Sequence, residues 1–214
     1  MLNLWENFHT NFLTKGVIKI DNYIYLSEKD KKITSVGFSK KEIKNHKGIS
    51  GLKYYLVILY LRKHVQTFGQ IALTLNDLLQ EVGYSTKTNN KSIYSDFREI
   101  IKTELINKGY ASCNTDIFVV KPNDLFYLQL SYERNVFFTE DSFVQITISE
   151  YEKICSISSK INKSILLGIY LYIKQYIMDY PGDIAPAKIS FPSKSQIAKG
   201  LDTSISTVEN GLSV

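Results

Sequence analysis

Leu52-Lys-Tyr-Tyr-Leu-Val-Ile-Leu-Tyr-Leu-Arg-Lys-His-Val65 is a Tyr-rich apolar run, followed after a gap by Leu75-Asn-Asp-Leu-Leu-Gln-Glu-Val-Gly83. The same pair returns later in the chain as Ser164-Ile-Leu-Leu-Gly-Ile-Tyr-Leu-Tyr-Ile-Lys174 and Pro192-Ser-Lys-Ser-Gln-Ile-Ala-Lys-Gly-Leu201. A helix apolar on nearly all sides belongs in the centre of a domain. A short capped helix, a polar turn and a helix with one polar side then make a helix-turn-helix, whose last helix can enter a DNA major groove. Two copies point to a protein that holds DNA and away from one that transforms a small molecule.

In the first copy, Thr74 or Asn76 can cap the short helix, and Gly83 suits its C-terminus. Tyr84–Asn90 reads as a polar turn. Ile93, Phe97, Ile100, Ile101, Leu105 and Ile106 then fall mainly at three- and four-residue intervals, an amphipathic helix that ends at Asn107-Lys-Gly-Tyr110. Asp116–Val120 reads as a strand, Lys121-Pro-Asn-Asp124 as a turn and Leu125–Leu130 as a second strand, together resembling the wing of a winged helix.

The second copy opens with an expected strand at Phe143–Ile148 and a helix from Ser149. Ser164 is placed as the cap of its central helix, and Ser193 or Ser195 as the cap of the short one. Asp202-Thr-Ser204 turns, and Ile205 and Val208 restart an apolar face. The insert 183–188 lengthens the connection, and no wing follows.

Ahead of both copies, Val17–Leu26 partly alternates apolar and polar residues and reads as a strand, with 31–38 as its candidate partner. Ser39-Lys-Lys-Glu42 fits a capping box. The expectation is therefore an α+β, mostly α chain. It divides into a β-containing arm (1–49), a first winged-helix domain (50–135) and a second (136–214) that lacks its wing.

Composition restricts the function. Hydrophobic residues make up 44% and charged residues 22% of the 214, which argues for a packed protein and against disorder. The net charge of +5 is unevenly spread. Residues 1–50 carry nine Lys/Arg against five Asp/Glu, 51–115 eight against five, 116–150 two against six, and 151–214 seven against five. Basic charge thus accompanies both helix pairs, where phosphate binding profits from it, and the connection between them is acidic.

Two cysteines, Cys113 and Cys155, form no CxxC and suit small core positions in a reducing cytoplasm. His9, His46 and His64 stand apart from any metal-ligand spacing, and there is no P-loop, GxSxG or HExxH. Neither an enzyme nor a bound metal or cofactor is expected. The start of the chain lacks the pattern of a secretory signal, and the run Tyr54–Leu61 is far shorter than the roughly 20 residues of a membrane span, so a cytoplasmic location without membrane contact is expected.

The string Phe191-Pro-Ser-Lys-Ser-Gln-Ile-Ala-Lys-Gly-Leu-Asp-Thr-Ser-Ile-Ser-Thr-Val208 resembles a segment of winged-helix replication proteins of low-GC Gram-positive bacteria, their plasmids and phages. These include plasmid initiators of the RepA N-terminal type and DnaD-like primosome proteins. Asn76–Gly83 with Ser85–Ile93 looks like a looser copy. The resemblance implies a sequence-specific binder of double-stranded DNA that initiates replication at origin repeats, engages host replication machinery and can form homo-oligomers. It places DNA contacts at Lys87, Asn89, Asn90, Lys91, Tyr94, Ser95 and Arg98, and at Thr203, Ser204, Ser206, Thr207 and Asn210.

The chemistry of those residues is suitable. Asn can bind adenine at two points, Lys and Arg reach guanine or phosphate, and Tyr94 and Ser95 suit phosphate oxygens. Two departures weaken the second copy: Asp202 stands where Gly or Asn is usual, and the last helix carries Glu209 without Lys or Arg. A transcriptional regulator, or a primosome-type scaffold that oligomerises through its winged helices, are the alternatives.

Overall fold

The computed structural model describes residues 35–86, 90–131, 134, 136–137, 142–158, 160–176 and 192–213. The expected strand at 17–26, the insert 183–188, Lys87 and Asn89 lie outside them. The described chain is α+β and mostly helical.

Strand β1 (Ser35–Ser39) runs into helix α1 (Lys40–Asn45) through a reciprocal cap. The Ser39 hydroxyl accepts from the Glu42 amide at 3.1 Å, and the Glu42 carboxylate accepts from the Ser39 amide at 2.7 Å. A single turn at Gly48–Gly51 leads to the central helix α2 (Lys53–His64), in which every residue from Lys53 to Arg62 is buried. The later half repeats this opening. Strand β5 (Ser142–Thr147) runs into α5 (Ile148–Ser156) through a Thr147–Glu150 capping box, and α6 (Lys163–Lys174) is the second central helix. Its cap is Asn162, whose carboxamide oxygen accepts from the Ser164 amide at 2.9 Å. Ser164 is therefore not the cap but a fully buried first-turn residue, with its hydroxyl donating to the same oxygen.

β1 and β5 pair antiparallel, and the register relates the two halves. Counted back from the caps Ser39 and Thr147, Val36 corresponds to Val144 and Phe38 to Ile146. Val36 pairs with Ile146, Phe38 with Val144, and Gly37 with its own counterpart Gln145. Equivalent residues thus exchange partners about the Gly37–Gln145 pair, the signature of a local two-fold axis. The central helices pack together, and all the buried apolar residues form one core. Gly168 lets α6 approach α2 closely: a Cβ there would lie 2.7 Å from Leu52 Cδ2. The described end of the arm is therefore built into this shared core.

After α2 come β2 (Gln70–Leu73), α3 (Leu75–Glu81), α4 (Lys91–Ile100), β3 (Ala111–Cys113) and β4 (Phe126–Leu130). Thr74 caps α3, again reciprocally with Asp77. α4 widens into a π-helical stretch over Ile101–Ile106 before the chain turns at Gly109. The strands form an antiparallel sheet in the order β2-β4-β3, burying Ile71, Leu73, Phe126, Leu128 and Leu130 on one face.

The expected strand at Asp116–Val120 is not formed; β3 lies earlier, at Ala111–Cys113. Ile117 and Val120 turn inward while Phe118 and Val119 are exposed, a spacing of three that a pleat with a period of two cannot satisfy. The Asp116 carboxylate instead accepts from the Phe118 amide at 3.1 Å and starts a turn. The Lys121–Asp124 turn forms as read, with the Asp124 amide donating to the Lys121 carbonyl at 3.0 Å.

In the second half, α7 (Lys194–Leu201) is capped by Ser193 and α8 (Ile205–Leu212) by Ser204. Both pack on α6.

Candidate nucleic-acid interface

α4 is built as the last helix of its pair. Tyr94, Phe97 and Ile100 face the core, while Lys91, Ser92, Ser95 and Glu99 face solvent. The helix is tied to α2 by an ion pair in which Lys53 Nζ lies 2.6 Å from Asp96 Oδ2. Lys53 is only 2% exposed, so this bond fixes the pose of α4 against the core.

Against that frame the expected contact residues separate. Lys91 and Ser95 are exposed. Asn90 is 7% exposed and its amide donates to the Ser85 carbonyl at 2.8 Å, so it closes the turn before α4. Tyr94 is buried and its hydroxyl donates to the Asn76 carboxamide oxygen at 2.5 Å. Arg98 is half-buried, and its Nη2 donates to the Val120 carbonyl at 2.7 Å.

The loop between β3 and β4 accounts for this. Its tip folds back over the helix pair, the Pro122 carbonyl accepting from the Asn76 amide at 3.0 Å and the Asn123 side chain accepting from the Asn76 side chain. Between loop and helix lies a cleft of about 630 Å³, with Asn90, Lys91, Tyr94 and Arg98 on one side and Pro122 and Asn123 on the other. Asn76, Thr86, Pro122 and Asn123 were not among the sequence-predicted contacts. Locally Asn76 reads as a possible cap, Thr86 as part of a polar turn and Pro122-Asn123 as a tight turn, and nothing local says where a turn will dock.

In the second pair, Ser204, Ser206 and Asn210 are exposed and Thr203 and Thr207 half-buried. Ser204 caps α8 through the Thr207 amide at 3.1 Å, and its hydroxyl lies 2.7 Å from that of Thr207. Glu209 meets Lys194 of α7 at 3.1 Å, so the lone acid of this helix is neutralised from its neighbour. Asp202 does occupy the left-handed turn position, with φ of 52°, where the first pair has Gly83 at 89°. The five expected residues form one small, uncharged, hydroxyl-rich surface.

The histidines that fall in the described residues have structural surroundings. His46 stacks on Tyr54 with ring centroids 3.7 Å apart, and burial, opposed by nearby Glu104, holds its pKa below the usual histidine value. His64 is likewise lowered, by burial and then by Lys63. Burial pushes the Cys155 thiol up to about 11, far from a reactive thiolate. Among the described residues no group of three His, Cys, Asp or Glu could hold a metal ion, and no helix is long and apolar enough to cross a membrane.

Comparison of the chain with protein-family models, curated protein sequences and solved structures gave no significant match.

Proposed function

We propose that the chain binds double-stranded DNA sequence-specifically through two winged helix-turn-helix units, the first as principal reader. One observation carries this reading. Over residues 53–130 the order is helix, strand, helix, helix, hairpin, with the returning strand β4 between β2 and β3. A helix pair backed by a sheet with a hairpin wing is an arrangement that lays its last helix in a major groove. The duplication of strand, capped helix, central helix and helix pair supports a second unit of the same kind, without a wing among its described residues.

Of the expected contacts on α4, Lys91 and Ser95 are the exposed ones that would meet DNA. Asn90 and Tyr94 act by holding the turn and the helix pair in place, while Arg98 uses one N–H to hold the wing loop and keeps the rest of its guanidinium for DNA. The local two-fold axis between the halves would set their helix pairs in opposite orientations on one site. By the resemblance set out above, the role is initiation of replication on a plasmid or phage, with host machinery as partner; a transcriptional regulator is the alternative within this class.

A second reading, a protein-interaction scaffold, is favoured by one feature of the later unit. α8 exposes Ile205 and Leu212 and carries no unpaired charge, a surface suited to another protein.

Selection of genomic fragments at physiological salt tests the proposal. Enrichment of repeated sites supports an initiator, and a palindrome upstream of a promoter supports a regulator. Salt-tolerant oligomers that retain no fragment would sink DNA binding in favour of the scaffold.

A further inference from the structure

The cleft between α4 and the wing loop has an unbalanced set of hydrogen-bonding groups. Two acceptors along its walls are already used, the Asn76 side-chain oxygen by Tyr94 and the Asn123 oxygen by Asn76. Donors remain. Among the described residues the Arg98 guanidinium makes no hydrogen bond beyond that from Nη2 to Val120, and the Asn123 side chain keeps its N–H donors. The Lys91 ammonium has no carboxylate within ion-pair distance among the described residues, and Thr86 adds a hydroxyl. Among the described residues no Asp or Glu lines the cleft. Lys91, Tyr94 and Arg98 fall at i, i+3 and i+7, so the two cations flank a phenol on one face of the helix.

A concave site rich in donors, holding two cations and no anion, recognises an oxygen-rich anion. We infer that this cleft seats a phosphate group between Lys91 and Arg98, with Asn123 as a neutral donor on the wing side. The inference deepens the DNA-binding reading, in which a backbone phosphate is the source; a free phosphate would meet the same groups. Seating a phosphate here would make the wing loop part of the grip and bring the groove to the exposed Ser95.

Asn123→Asp tests the inference with little disturbance of the fold. The carboxylate still accepts from Asn76, but it replaces a donor with a negative charge facing the seat. Ser112→Asp, on an exposed strand residue outside the cleft, makes the same change in net charge. Lys91→Ala, at an exposed position, is the second variant, and thermal unfolding of each full-length variant checks folding. The probes are a duplex recovered from the fragment selection and, separately, inorganic phosphate followed by amide shifts of Thr86, Lys91 and Asn123.

Asn123→Asp is expected to weaken duplex binding at least about tenfold, with Ser112→Asp within about twofold of the parent chain. Lys91→Ala should reduce the slope of log K against log salt by about one. If the duplex binds and Asn123→Asp equals Ser112→Asp, the phosphate seat is wrong and the DNA reading stands. If no duplex binds but inorganic phosphate shifts the three amides in the parent chain and not in Asn123→Asp, the seat holds with a free-phosphate source and the DNA reading fails. Absence of both responses overturns the seat.

Discussion

Lys53 and Lys163 stand at the same place, the first residue of a central helix, and both are buried. They are satisfied differently. Each donates to a backbone carbonyl before its own helix, Lys53 to Ile49 at 3.3 Å and Lys163 to Ile157. Among the described residues only Lys53 also pairs with a carboxylate, that of Asp96 on the last helix of its unit. The first unit therefore locks its candidate reading helix to the core by charge. The second holds its helix pair by close packing: a Cβ on Gly200 would lie 2.0 Å from the Tyr172 ring. The turns differ as well, since Asp202 and Ser204 are separated by one residue whereas Gly83 and the Asn90 cap are separated by six. One scaffold used twice has thus produced a charged helix covered by the β3–β4 loop and an uncharged, tightly turned one.

Substitution should cost most at Asp96. Asp96→Ala leaves the Lys53 ammonium buried without its carboxylate and should cost about 3 kcal/mol, read as a lower urea midpoint. Lys163→Met removes the cation itself and should cost less than half as much; equal losses would remove the distinction between the two lysines. Gly200→Ala drives a methyl into Tyr172 and should cost about 1–3 kcal/mol.

A reciprocal exchange at the turn position should move stability in opposite directions in the two units. Asp202→Gly relieves a left-handed residue and should stabilise by up to about 1 kcal/mol, while Gly83→Asp should destabilise by a similar amount.

A pH profile distinguishes Glu150. Burial alone would raise its pKa, but hydrogen bonds from Lys174, the Thr147 amide and Tyr170 outweigh that and bring it down to about 2. Because the folded value is depressed, its stabilisation is present above about pH 4.5 and is lost as pH falls toward about 2. Glu150→Gln should flatten the stability profile in that window. The smallest effect is expected in the second helix pair, where Asn210→Ala should change duplex affinity by less than about twofold, against a tenfold loss for Asn123→Asp in the first.

Much of the framework was legible from local pattern. Ser39-x-x-Glu42 forms its box, Thr74 and Ser193 were among the residues named as caps, and the Tyr-rich runs form buried central helices. What escaped depends on contacts distant in sequence. Nothing near Arg98 says that it will bond Val120, and nothing near Asn76 announces Pro122 and Asn123. Asp116–Val120 misled because its β-branched composition suits a strand, while its apolar residues divide three apart between core and solvent. The chemistry of the candidate site was therefore readable as residue types, but the hydrogen bonds that occupy three of those residues were not.

The antiparallel register of Ser35–Ser39 with Ser142–Thr147 also bears on how the molecule is made. A ribosome delivers Val36 and Phe38 long before their partners, so the nascent first half presents an open, apolar strand border while translation continues. Dividing the gene between the halves would make that border permanent in each fragment, and mixing the fragments should restore solubility by re-forming the seam.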